Sequence, residues 1–267
     1  MDIKAEGEDM SMFSEVEERL EETGLCVDAD SILFLSCYKY REDFNIELAY
    51  LDFCKRVGSI ERACYDEVVG LTEIILCFST KKSFRNQILD TYKAHRRTNE
   101  TPESISLGEN VRQLKRLTAE RLKPMVKASN VFEADDLVIQ YADKGYVVAA
   151  IDKDVIHASK TKCFNYKTNQ WTPECTEMDI NRWYIFQSIM GDSSDGIKGV
   201  KGMGKVKAEE FVNELFDGDK TADDYVELFE TPEHCLQTNR LVRMNQYKDG
   251  KLKLCTMEDI LNSIYPF

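Results

Sequence analysis

Three short apolar runs limit what this chain can fold into. They are Leu25-Cys26-Val27-Asp28-Ala29-Asp30, Glu73-Ile74-Ile75-Leu76-Cys77-Phe78 and Gly145-Tyr146-Val147-Val148-Ala149-Ala150-Ile151. Each reads as a buried strand. Helical patterns lie between them: Ser31 to Tyr40, Phe44 to Val57 and Ser106 to Lys127. In the second, Ile46, Leu48, Leu51, Phe53 and Cys54 are core candidates. Strands alternating with helices predict an α/β fold with a central, mostly parallel sheet. Such folds bind ligands at the carboxyl ends of their strands. The first run ends there in Asp28 and the third in Asp152-Lys153-Asp154. Strand alternation would point Asp152 and Asp154 the same way and Lys153 the other.

Two further acidic groups follow the same logic. Glu133-Ala134-Asp135-Asp136 reads as the first turn of a helix running to Ala142, with Ser129 and Asn130 as N-caps. The helix dipole favours acids there by ~0.3–1 kcal/mol each. That accounts for one or two acids, not three. Glu133 and Asp136 would share a face, with Asp135 aimed elsewhere. Further on, Gly191-Asp192-Ser193-Ser194-Asp195 leads into Gly199-Val200-Lys201-Gly202-Met203-Gly204-Lys205. Glycines let the backbone N–H groups of such a turn cradle an anion, and a helix starting after it adds its dipole. Lys205 to Phe211 reads as that helix, with Val206 and Phe211 buried. One half of the stretch suits a metal and the other a phosphate, a pairing that suggests a phosphodiester substrate. A solvated glycine-rich loop is the plain alternative.

Composition narrows the classes. Only three histidines occur, which leaves carboxylates as the expected metal ligands. Nine cysteines without a Cys-x-x-Cys pair read as reduced thiols of a cytoplasmic protein. No apolar run reaches the ~18 residues of a membrane span. Net charge is −13, unusual for a nucleic-acid binder, but the charge is polarised. Residues 81–127 carry twelve Lys and Arg against five Asp and Glu, and residues 1–22 carry two against nine. The acidic extension has Phe13, Val16 and Leu20 at helical spacing, and one reading has it competing with DNA for the basic arm.

The Gly-Asp-x-x-Asp run with its spaced glycines resembles the helix–three-turn–helix signature of the flap endonuclease and 5′-exonuclease family. Phe84-Arg85 and Tyr92-Lys93-x-x-Arg96, Glu133-x-Asp135-Asp136 and Asp152-x-Asp154 are similar to further motifs of that family, in the same order. The resemblance runs from about Leu25 to Met244. It implies a PIN-like 5′-nuclease core with a helical arch. The core would span 24–185 with a basic arch region at 81–127, between an acidic extension at 1–23 and a DNA-binding segment at 186–267. It implies cleavage near 5′ ends of flapped, nicked or free-ended DNA, with RNA on DNA as a further substrate, by a monomer in the cytoplasm, the host's if the chain is phage-encoded. Tyr92 would stack near the DNA end. Lys93 and Arg96 would meet the scissile phosphate, with Arg85 nearby. Such cations stabilise charge that builds in the transition state.

Bringing Asp28, Glu133, Asp135, Asp136, Asp152, Asp154, Asp192 and Asp195 together requires cations between them, and Mg²⁺ prefers oxygen ligands. Two ions, with Mn²⁺ able to substitute, would activate water and steady the leaving oxygen. We assign Asp28, Glu133 and Asp135 to the first and Asp152, Asp154 and Asp192 to the second, with Asp136 and Asp195 shared or in an outer shell. Gly199, Gly202, Gly204, Lys201 and Lys205 would grip duplex phosphates, and the resemblance adds a K⁺ ion at that turn. The chain departs from the pattern at one place. Where the family carries an Asp after the second strand, this sequence has Thr80, with Ser79 beside it. A weakened nuclease or a junction-binding module is therefore the alternative. A ribonuclease on a compact PIN-type core is a third, opposed by the glycine turn.

Overall fold

The computed structural model describes residues 23–68, 70–94 and 101–264. The acidic extension through residue 22, and Arg96, lie outside them. Six strands form one sheet in the order β3-β2-β1-β4-β5-β6. They are β1 (Thr23–Asp28), β2 (Leu71–Phe78), β3 (Val126–Ala128), β4 (Val147–Ala149), β5 (Cys163–Asn165) and β6 (Gln170–Thr172). Every neighbouring pair is parallel except β5 with β6, which form a hairpin. The α/β expectation therefore holds. In β1, Leu25 and Val27 enter the core on one face and Cys26 on the other. That is the signature of a central strand covered on both sides.

Helices α1 (Asp30–Lys39), α2 (Ile46–Tyr65) and α4 (Pro102–Arg121) cover the first face, where Ile32, Phe53 and Leu114 are buried. The one-turn helix α3 (Arg85–Ile88) lies between β2 and α4. Helices α5 (Ala134–Ala142), α6 (Lys153–Ala158) and α7 (Glu177–Met190) cover the second face around Val138, Val155 and Tyr184. The far end of α7 carries Ile185 and Ile189 into a third core. The elements around or beyond that core are a two-stranded ribbon of β7 (Gly191–Asp192) and β8 (Ile197–Lys198), helices α8 (Lys205–Asp217), α9 (Ala222–Glu227) and α10 (Pro232–Val242), a hairpin of β9 (Tyr247–Lys248) and β10 (Lys251–Leu252), and α11 (Met257–Ile264).

Several local expectations are corrected. Helix α2 runs on to Tyr65, and its buried stripe is Ala49, Phe53, Val57, Ile60 and Cys64, which leaves Leu48 and Leu51 exposed. Helix α4 starts at Pro102, because Thr101 and Ser104 form a reciprocal cap, and it stops at Arg121. The residues after it form β3, an edge strand the helical reading of Ser106 to Lys127 had absorbed. Val206, expected in the core, is 76% exposed at the start of α8. The acidic groups at 133–136 and 152–154 also differ locally. Glu133 and Asp152 are N-cap residues of α5 and α6, so strand alternation does not govern Asp152 and Asp154.

Candidate active site

The carboxyl ends of β1 and β4 bring Asp28 and the Asp152–Asp154 turn to one edge of the sheet, and the start of α5 faces them. Asp28 is buried and receives one long hydrogen bond, 3.3 Å, from the Asp30 backbone N–H. Burial, with Asp30 and Asp152 nearby, pushes its carboxyl up to about 7. Asp135 rises for the same reasons: burial first, then the charges of Asp28 and Asp152. Asp154 accepts a hydrogen bond from Gln187 Nε2 at 2.6 Å. It is also pushed up to about 7, by burial and by Asp152, Asp192 and Asp195. Asp152 accepts from the Asp154 N–H, and Asp192 from the Ser194 N–H at the tip of the β7–β8 ribbon. The sequence-predicted acids from four segments thus act on one another electrostatically.

The remaining acids have cationic partners. Arg85 is buried and gripped on both sides. Its Nη1 and Nη2 donate to the two Asp136 oxygens at 2.6 and 2.7 Å, and its Nε donates to the Leu241 carbonyl at 2.7 Å. Asp136 also accepts from the Glu133 N–H. Arg85 therefore does not present its guanidinium to a phosphate, and Asp136 has no free oxygen for a metal; both expectations are corrected to a structural ion pair. Lys93 Nζ lies 2.7 Å from Glu133 Oε1 and 3.5 Å from Asp195 Oδ2. Burial pushes the Glu133 carboxyl up, but the Lys93 and Arg85 charges more than offset this and hold it below its usual value. Tyr92 is only 5% exposed, and its hydroxyl lies 2.8 Å from Glu133 and 2.9 Å from Asp195. A ring so buried does not stack on a DNA end, which corrects a further expectation.

Thr80 is turned away from the acids. Its hydroxyl donates to the Ser129 carbonyl at 2.8 Å and accepts from the Lys82 N–H. The Ser79 hydroxyl instead accepts from the Ala134 N–H at the start of α5. The carboxylate that does reach the end of β2 is Asp30, which accepts from the Ser79 N–H at 2.9 Å and pairs with Lys115 of α4 at 2.6 Å. Sequence reasoning passed over Asp30 as part of the strand run. The signal was its position two residues beyond Asp28.

The glycine turn leads from the ribbon into α8. A Cβ on Gly191, whose φ is +67, would lie 2.2 Å from the Gly199 backbone, and one on Gly199 would lie 2.3 Å from the Ile189 carbonyl. These two glycines allow strand and turn to touch. Gly202 has φ +81 and open space around it, and Gly204 is the N-cap of α8 without a side chain of its own. Lys201 and Lys205 are exposed beside it. The turn is thus open to solvent at the helix start.

The donor set was tested for a hard divalent ion. It is all oxygen, and among the described residues Asp28, Asp135, Asp152, Asp154 and Asp192 form no ion pair. Buried carboxylates that raise one another's pKa favour a cation between them. Among the described residues no three acidic, His or Cys side chains stand close enough to enclose an ion directly. Mg²⁺ keeps part of its water shell and takes carboxylates through water, so the wider spacing still fits it.

Comparison with known proteins agrees with this geometry. The family described as "5′-3′ exonuclease, N-terminal resolvase-like domain" matches residues 24–184. The exonuclease of Escherichia phage T7 is 24% identical over 232 residues, 78% of this chain and 73% of that protein. The exodeoxyribonuclease of Enterobacteria phage T3 is 24% identical over 233 residues, covering 78% and 72%. Among solved structures, bacteriophage T5 5′-exonuclease with bound zinc superposes with a TM-score of 0.64 at 18% identity, over 91% of this chain and 94% of that one. The T5 flap endonuclease in a pseudo-enzyme–product complex with DNA and metal ions gives 0.63 at 16% identity, over 92% and 94%. With its strand-end carboxylates and a family match over more than half its length, this chain belongs to the 5′-3′ exonuclease family with the N-terminal resolvase-like domain.

Proposed function

We propose that the chain is a metal-dependent 5′-nuclease that hydrolyses phosphodiesters near the 5′ ends of flapped or nicked DNA, and of RNA annealed to DNA. The observation that carries this reading is the group of buried acids without cation partners beside Lys93. Asp28, Asp135, Asp152, Asp154 and Asp192 would hold Mg²⁺, or Mn²⁺ in its place. When bound, such ions lower the pKa of water and take up charge on the phosphoryl oxygens. Lys93 is aimed at the same cleft from the opposite side, with Glu133 holding its ammonium. Released from that pair onto a phosphate, it would stabilise charge in the transition state. Arg96 is proposed for the same task on the family pattern alone.

The open glycine turn and α8 would hold the duplex through phosphates, with Lys201 and Lys205 alongside. Backbone contacts of that kind position DNA without reading its sequence. A K⁺ ion on the turn's carbonyls belongs to the same proposal. So does the division into a core at 24–185 and a duplex-gripping segment at 186–267, acting as a monomer. The junction-binding alternative rests on Thr80, whose hydroxyl is engaged with Ser129. Cleavage of a 5′-labelled flap with Mg²⁺ and Mn²⁺ decides between them, comparing the parent with Asp152→Ala and Thr80→Asp. Cutting by the parent that is lost in Asp152→Ala, leaving 5′-phosphate and 3′-hydroxyl ends, supports the nuclease. Tight flap binding without cutting, in the parent and in Thr80→Asp, supports the binding module.

A further inference from the structure

Lys93 stands in an unusual backbone state. Its φ is +56, in the left-handed region that non-glycine residues seldom occupy. The turn before it, closed by the Tyr92 N–H to the Leu89 carbonyl, does not require this. What holds it is a contact 102 residues away, where the Lys93 N–H donates to the Asp195 carbonyl at 2.9 Å. Asp195 sits in the loop between β7 and β8, and its own N–H bonds back to the Asp192 carbonyl. The ribbon below is fixed by the Gly191–Gly199 approach, so the Lys93 backbone is tied to a rigid piece of the C-terminal segment.

The Tyr92 hydroxyl completes the joint. It lies within 2.9 Å of both Glu133, at the start of α5, and Asp195, on the ribbon loop. The phenol has one proton and remains protonated, because burial and both carboxylates raise its pKa. It therefore links two carboxylates that would otherwise repel, with Lys93 Nζ on their other side. The Tyr92 ring packs with Ile197 and Leu241, so the hydroxyl has little room to move.

We propose that Tyr92 is a positioning residue: its hydroxyl locks Glu133 to the Asp195 loop and thereby sets both the backbone and the ammonium of Lys93. This deepens the nuclease reading and rests on it. The phenol makes no contact with DNA in this role, unlike a stacking residue. Its loss should impair the chemical step and leave duplex binding, which belongs to the glycine turn, intact.

Tyr92→Phe removes one oxygen and keeps the ring. Three readouts test it: single-turnover cleavage of a 5′-labelled flap in Mg²⁺, flap affinity in Ca²⁺, and hydrogen exchange of the Lys93 amide by NMR without DNA. The expected result is a cleavage rate down about tenfold or more, since small displacements of a catalytic group have large rate effects. Affinity should stay within about twofold, and Lys93 exchange should accelerate about tenfold, as for a loosened local contact. Adding Asp195→Ala to Tyr92→Phe should cost less than the two single losses combined, because both act on one joint. An unchanged rate and unchanged exchange overturn the proposal, as does a loss of affinity in step with rate, which marks general loosening. A parent that cuts nothing sinks the nuclease reading. The exchange result then still decides whether the hydroxyl holds Lys93.

Discussion

Arg85 and Lys93 are eight residues apart in sequence and look alike on a basic stretch, yet they do different things. Arg85 is sealed against Asp136, and Lys93 keeps one side toward the cleft. Removing one partner of a buried pair leaves the other charge stranded, at ~3–5 kcal/mol. Arg85→Ala should therefore lower unfolding stability by about that much in chemical denaturation, whereas Lys93→Ala should cost ~1 kcal/mol or less, as a half-exposed pair does. Equal losses would mean that burial does not separate the two. The raised carboxyls give a second test. Asp28 and Asp154 have folded values of about 7, above their ordinary 3.8. The folded state thus binds more protons than the unfolded one between those values, and stability falls as pH rises through that window. Without divalent ions, the melting temperature should drop from pH 5.5 to 8. Mg²⁺ should restore more stability at pH 8 than at pH 6, because the ligands are then ionised. A melting temperature that rises with pH in metal-free buffer would contradict this.

At the scale of elements, β1, β2, β4 and the long helices are legible because each carries a strong apolar pattern. Edge strand β3 is not, since three residues offer no period and its pairing is set by β2. Helix starts were the weakest reading. Glu133 and Asp152 are caps, and capping is decided by where the backbone turns, which residue type alone does not fix. The acids of the site were legible from their spacing. Asp30 was missed because it merges with the strand that precedes it, and the buried fate of Tyr92 and Arg85 depends on α10 and the ribbon, distant in sequence. The ribbon itself yields a prediction. Gly191→Ala would force a side chain into the Gly199 backbone at positive φ, strain worth ~1–3 kcal/mol before the clash is counted. It should abolish flap cutting while far-UV circular dichroism stays unchanged. Retained activity would show that the ribbon can shift.

For the molecule as a whole, the sum of charges and their placement oppose each other. A chain of net charge −13 should repel DNA at long range, while exposed Arg112 and Arg116 on α4, and Lys201 and Lys205 by the glycine turn, attract it locally. Binding should then depend steeply on salt. Neutralising about five phosphates costs about twentyfold in affinity per doubling of monovalent salt. A titration by fluorescence anisotropy reads this slope, and Lys201→Ala with Lys205→Ala should flatten it. A slope near zero would argue against phosphate contacts as the source of affinity. Among the described residues no helix is long and apolar enough to cross a membrane.

The grip on Arg85 also orders events in time. Its guanidinium bonds the carbonyls of Leu241 and Arg243, 156 and 158 residues further along the chain. While the protein is being made, the strands and both carboxylate-bearing turns emerge first, and Arg85 waits beside Asp136 with part of its donors unmet. Only when α10 leaves the ribosome can the pocket beneath Glu133 close. The nuclease cleft is therefore finished by nearly the last residues translated, so a half-made chain carries its acids without yet having them set for use.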